Sequence, residues 1–249
     1  MDETLAIQQL VRPDGATIAY HQTPGTSPGV IYLSGFRADM SGNKASYLEK
    51  WCREKGRAFI RFDYFGHGAS SGKFVNGFLG RWKNDALAVL DELTVGPQIL
   101  VGSSMGGWIM LLLALARPER IKGLVGIAPA PDFTKDILYK LKQNYKDELL
   151  SKGVCYVPSY PGDAPYPITM KLIEESAKYH VLDNPIPIHC PVRLLHGMND
   201  SDVPWQQSVK LMNALESNDV QINLIKKANH RLSAQDNLFV LGKTLDSFF

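Results

Sequence analysis

Cysteine is scarce in this 249-residue sequence. Cys52, Cys155 and Cys190 are three in number and widely spaced, which argues against a disulfide framework and for reducing surroundings. Charge bias is lacking too: a net charge of +2 gives no reason to expect nucleic acid or an anionic membrane as partner. No apolar run is long enough to span a bilayer; the longest, Trp108 to Ala116, is too short. The first residues, Met1-Asp2-Glu3-Thr4, lack the basic start and apolar core of a secretory signal. Repeats, low-complexity tracts and linkers are missing, so one domain over residues 1–249 is the economical reading. These absences lead to the expectation of a soluble, cytoplasmic protein without stable membrane insertion.

What is present centres on Gly102-Ser103-Ser104-Met105-Gly106. The apolar run Ile99–Val101 before it reads as a buried strand. The segment Trp108–Ala116 after it reads as a buried helix that ends before Pro118. Gly-x-Ser-x-Gly at a strand-to-helix corner is the pattern of a nucleophile elbow, with Ser104 pushed out of the sheet on a strained backbone. Gly102 and Gly106 would relieve collisions where strand and helix close on each other. The helix start adds free N–H groups, so Met105 N–H is a candidate oxyanion donor. A phosphate-binding turn is the other reading of a Gly/Ser-rich corner. Ser103 lacks the flanking glycines that Ser104 has.

Along the chain, Leu5–Val11 and Ala16–Tyr20 read as strands about a Pro13-Asp14-Gly15 turn. Continuous apolar runs at 29–33, 58–62, 99–101, 123–128, 192–197 and 220–225 read as further strands, mostly buried on both faces. Helices are expected at 44–55, 79–93, 205–215 and 234–249. This alternation predicts an α/β fold, a mostly parallel twisted sheet with helices on both faces. The rhythm breaks at about 132–190. There, Ile137, Leu138, Leu141, Tyr145 and Leu149 share one helical face stopping at Gly153, and a second helix is expected over 168–180. Six of the ten tyrosines fall in this stretch, which reads as a small helical cap over the elbow.

A serine needs a base, and a base of this kind needs an orienting carboxylate. Reacting groups in such sheets gather in loops at the strands' C-terminal ends. Among the six histidines, His21, His180 and His189 lie away from such ends; His67 sits in a glycine-rich turn, and His196 closes the strand expected to supply the acid. His230, after the last strand, is the favoured base. Asp200 is the favoured acid. Asp202, two residues on, stays open as the acid or as a helix cap. Phe36 N–H, in the loop after Leu33, is the candidate second oxyanion donor. Arg37, Trp108 and Trp205 are candidate substrate contacts, the two tryptophans with the tyrosines suggesting an apolar acyl group.

Together, Ser34-Gly35-Phe36, Asp63-Tyr64-Phe65-Gly66-His67-Gly68-Ala69-Ser70, the elbow, His196-Gly197-Met198-Asn199-Asp200 with Val203-Pro204, and His230 resemble the α/β-hydrolase superfamily over nearly the whole chain. On that family's pattern the acid is the fourth residue after the His of the His-Gly pair, which is Asp200. Arg61–Tyr64, Gly96–Ser104, Gly106–Trp108, Arg193–Met198 and Val203–Trp205 are similar to its palmitoyl-protein thioesterase branch, also described as acyl-glucuronide esterases. The cap matches less recognisably, and the resemblance is not expected to carry organelle targeting with it. The resemblance implies Ser-His-Asp hydrolysis of carboxylic esters or thioesters, on small molecules or acyl-proteins, with no metal or organic cofactor. Carbon–carbon bond hydrolases, peptidases and non-catalytic receptors on the same fold are the alternatives.

Overall fold

The computed structural model describes residues 6–158 and 164–249. In chain order its elements are β1 (Gln8–Val11), β2 (Thr17–Thr23), β3 (Thr26–Leu33), α1 (Asn43–Glu54), β4 (Arg57–Phe62), α2 (Leu79–Leu93), β5 (Gln98–Ser103), α3 (Met105–Ala116) and β6 (Ile121–Ile127). Then come α4 (Ile137–Lys140), α5 (Gln143–Lys152), β7 (Val154–Val157), β8 (Tyr166–Thr169), α6 (Met170–Ser176), β9 (Val192–Gly197), α7 (Gln206–Ala214), β10 (Val220–Ile225) and α8 (Gln235–Asp246). Among the described residues, eight strands form one sheet in the order β1-β2-β4-β3-β5-β6-β9-β10. β1 and β2 are antiparallel to their neighbours, and every pairing from β4 to β10 is parallel. Leu5, the first residue of the expected opening strand, lies outside the described residues.

Strand alternation explains the two apolar layers. Ile31, Leu33, Ile60, Phe62 and Leu100 face α2 and α3 on one side. Val30, Tyr32, Phe59, Ile99 and Val101 face α1 and α8 on the other. Helix α3 is buried from Met105 to Ala114, apolar all round as a central helix must be. β3 pairs with β4 on one side and β5 on the other. The chain therefore reverses its direction of sheet growth between β3 and β5. The crevice at their C-terminal ends is the switch point where such sheets take ligands.

The segment between β6 and β9 departs from the sequence expectation. The single helical face is broken at Leu141, whose backbone is extended (ψ 140°), giving α4 and α5. Gly153 does end α5, in the left-handed conformation at φ 73°. Ile168 belongs to β8 rather than to a helix, and β7 and β8 form an antiparallel hairpin. Leu149, Cys155 and Ile168 make a small core of their own. Asp132, at φ 57°, ties the two ends together: its carboxylate accepts the Val181 and Leu182 N–H groups at 2.9 Å.

Candidate active site

Ser104 stands between β5 and α3 with φ 53° and ψ −117°, outside the regions L-residues ordinarily occupy. Such strain costs about 1–3 kcal/mol and persists only where neighbours enforce it. Here the Ser104 N–H donates to Ile127 O at 2.9 Å, and its carbonyl accepts from Gly107 at 2.9 Å and Ala130 at 3.0 Å. The elbow glycines have the expected steric task. A Cβ on Gly102 would lie 2.4 Å from the Gly106 carbonyl oxygen, and one on Gly106 would lie 2.0 Å from that of Leu33.

The sheet brings three distant side chains into one line. The Ser104 hydroxyl donates to His230 Nε2 at 3.0 Å, and His230 Nδ1–H donates to Asp200 Oδ2 at 2.7 Å. The carboxylate only accepts, which fixes the proton on Nδ1 and leaves Nε2 to receive. The Asp200 side chain is fully buried, whereas that of His230 keeps 15% exposure. Parallel pairing of β9 with β10 places their following loops side by side. Asn199 N–H donates to Ala228 O at 3.0 Å, and a Cβ on Gly197 would lie 2.3 Å from that same oxygen. Gly197 is therefore what lets the His230 loop approach the Asp200 turn.

Between the two candidate acids the geometry is one-sided. Asp202 is exposed, and its N–H donates to Asp200 Oδ1 at 2.9 Å, joined there by Val203 N–H at 2.8 Å. Burial pushes the Asp200 carboxyl up, but donors from His196, His230 and Val203 outweigh it and hold the group well below the usual carboxylate range. The cysteines offer no rival nucleophile at neutral pH. Burial pushes Cys52 up to about 12 and Cys190 to about 11.

Phe36 and Arg37 occupy a turn closed by Ala38 N–H on Gly35 O at 3.1 Å, with Arg37 at φ 59°. A Cβ on Gly35 would meet Ser104 Cβ at 3.4 Å, so this turn lies directly against the elbow. Among the described residues no acceptor takes the Phe36 or Met105 N–H. Arg37 N–H, by contrast, is committed to His67 Nε2 at 3.3 Å. His67 Nδ1–H in turn donates to Phe65 O at 3.2 Å. Burial pushes His67 down to about 4, keeping it a neutral acceptor. The Phe36 ring is wedged against Phe74 (4.9 Å), Phe133 (5.8 Å) and Tyr166 (6.0 Å), between the main core and the small one.

Two expected substrate contacts are placed differently. Trp108 has no exposed surface; its Nε1–H donates to Tyr179 O at 2.9 Å and its ring stacks near His180. It fastens the inserted segment to α3 and does not line the crevice. The Arg37 guanidinium, the other expected contact, donates to the carbonyls of Ala164 (3.0 Å) and Pro165. Trp205 is partly exposed at the start of α7, five residues beyond Asp200. Sequence reasoning set His196 aside as a base and did not name Ser208; in the structure His196 touches Asp200 and Ser208 holds the far side of the His196 ring. The signal was present: a histidine four residues before the acid at a buried strand end. A separate cleft of about 330 Å³, bordered by Gln22, Ser27, Phe59, Leu93 and Gln98, opens at the opposite end of the sheet and contains none of these groups.

Residues 30–156 match the model of the alpha/beta hydrolase fold family. Over 238 residues the chain is 42% identical to human palmitoyl-protein thioesterase ABHD10, mitochondrial, covering 95% of this chain and 78% of that protein. The chain belongs to the α/β-hydrolase family. As an α/β hydrolase it superposes on mouse alpha/beta hydrolase domain-containing protein 10 with a TM-score of 0.91, at 40% identity and 97% of each chain. It is equally similar in shape to a hydrolase from Agrobacterium vitis S4, with a TM-score of 0.93, 36% identity and 99% of each chain. The expectation of a cytoplasmic protein is overturned here: the human relative and its rat and cattle counterparts are named mitochondrial. Scarce free cysteines speak for reducing surroundings, and more than one compartment provides those. Among the described residues no helix is long and apolar enough to cross a membrane.

Proposed function

We propose that this α/β hydrolase cleaves carboxylic esters or thioesters through an acyl-enzyme on Ser104. The observation that carries the reading is the hydrogen-bonded line Ser104–His230–Asp200 lying beside two uncommitted N–H groups. His230 takes the Ser104 proton as the oxygen attacks the acyl carbonyl. The developing oxyanion is held by Met105 N–H, at the positive end of α3, and by Phe36 N–H. His230, now charged and stabilised by Asp200, gives its proton to the leaving alcohol or thiol. Water then enters, is deprotonated by His230, and releases the acid.

The substrate reading follows from what surrounds the crevice. The segment at about 132–190 acts as a cap within a single domain, and its Phe133 and Tyr166 rings, packed on Phe36 beside the elbow, suit an apolar acyl chain. The name of the human relative, a palmitoyl-protein thioesterase, supports a long acyl group on a small molecule or a protein. The test is a graded series of p-nitrophenyl esters and acyl thioesters from acetyl to palmitoyl, run with wild type and Ser104→Ala. Rising kcat/KM with chain length, lost in the variant, is the expected result; a strict acetyl preference would remove the acyl-pocket reading.

A further inference from the structure

His196 closes β9 with no exposed surface, and the reaction scheme above makes no use of it. Its ring touches the candidate acid directly. Nε2 lies 3.1 Å from Asp200 Oδ2 and 3.0 Å from Val203 O, and Nδ1 lies 2.7 Å from Ser208 Oγ. Both neighbours of Nε2 are acceptors only, so that nitrogen carries the proton. Nδ1 must then accept from the Ser208 hydroxyl. The partners thus fix the proton on Nε2.

The consequence falls on Asp200. Its carboxylate receives four donors: Asp202 and Val203 N–H on Oδ1, and two imidazoles on Oδ2. His196 and His230 therefore draw on the same oxygen from opposite sides. Charge taken up by one is denied to the other. With Oδ2 bonded to His230 alone, its full pull would fall on the ring that has to accept the serine proton.

We propose that His196 is a positioning residue for the proposed ester hydrolysis, acting through Asp200: its Nε2–H shares Oδ2 with His230 and moderates the pull of that oxygen on the base. This inference rests on the triad reading of Ser104, Asp200 and His230. Other charged groups on the surrounding elements are Lys44 of α1, bonded to Arg231 O; Asp202 of the same turn; Lys210 of α7; and Lys226, Lys227 and Arg231 beyond β10. All remain unchanged in the variants below.

The test is the pH dependence of Ser104 labelling by a fluorophosphonate, followed by intact mass, which needs no knowledge of the natural substrate. His196→Gln keeps an N–H donor near the Nε2 position, and His196→Met matches it in length without the donor. The Met variant is expected to show its labelling midpoint raised by about half to one pH unit, with His196→Gln returning close to wild type. If His196→Met melts below the assay temperature, His196→Leu takes its place. A midpoint unmoved in the Met or Leu variant overturns the proposal. So does a Gln variant that moves as far as Met, because lost packing would then be the cause. Folded wild type that never labels at Ser104 removes the triad reading itself, a result distinguishable from the other two.

Discussion

The C-terminal edge of the sheet and the segment lying over it are built by different means. At the sheet edge the nucleophile and the acid are held by backbone, and His230 is held between them. Ser104 has its N–H and carbonyl both bonded, and Asp200 is gripped by two N–H groups. The segment at 132–190 is fastened by side chains: Asp132 at its ends, Trp108 on Tyr179 O, and Arg37 on the carbonyls before β8. It also has backbone pairing at Ile186, whose N–H donates to Ala214 O at 2.7 Å, and Leu172, Leu182 and Ile186 are buried in the main core. Its own core is three residues, Leu149, Cys155 and Ile168. The nucleophile and the acid are thus fixed by several backbone bonds, whereas much of the covering segment is fastened by single side chains. On this account the sheet edge sets rate and the covering segment sets which acyl group is accepted.

The contrast can be broken most forcefully at Ser104. Ser104→Ala should lower kcat for an ester by roughly 10⁴–10⁶, and adding His230→Ala should cost little more, because the groups act as a unit. Steady-state kinetics of the double variant decide this; multiplicative losses would separate the two residues. Next in size, Asp200→Asn should lower kcat by about 10³–10⁴, whereas Asp202→Asn, exposed, should stay within about threefold. Equal losses at both would undo the assignment of the acid.

His67 offers a stability test of the same edge. Its imidazole is pushed down from 6.5 to about 4 in the folded protein. The unfolded chain therefore binds a proton first as pH falls. Stability is complete above pH 6.5 and declines toward pH 4, by on the order of 3 kcal/mol at about 1.4 kcal/mol per pH unit. Urea unfolding at pH 7.5 and 4.5 should show this decline in wild type and a smaller one in His67→Gln; identical declines would mean His67 does not carry it. The smallest effect is expected on the covering segment. Arg37→Ala should raise KM about three- to tenfold for a long-chain ester and leave acetyl esters nearly unchanged.

How much of this was legible in the sequence divides along the same line. The parallel strands announced themselves as continuous apolar runs, because burial on both faces leaves no room for polar positions. The elbow was readable because two glycines and a serine have a steric meaning at that spacing. Asp200 and His230 were readable from their place after strands. The covering segment was not. Val154–Val157 is short, β8 contains Pro167, and neither has a clear alternation, so the stretch between the two expected helices did not read as a hairpin. Arg37 was misjudged because its partner, Ala164, is 127 residues away. Trp108 was misjudged because a tryptophan beside a nucleophile serves a core as readily as a crevice.

The measurement that bears most directly on the central claim is intact mass after treatment with a fluorophosphonate, for wild type and Ser104→Ala. One adduct on wild type, absent from the variant, is the result this account requires, since only a serine activated by its neighbours reacts at neutral pH. Well-folded wild type that stays unlabelled, even with a small phosphonate able to pass beneath the covering segment, would contradict it and leave a binding protein on a hydrolase scaffold.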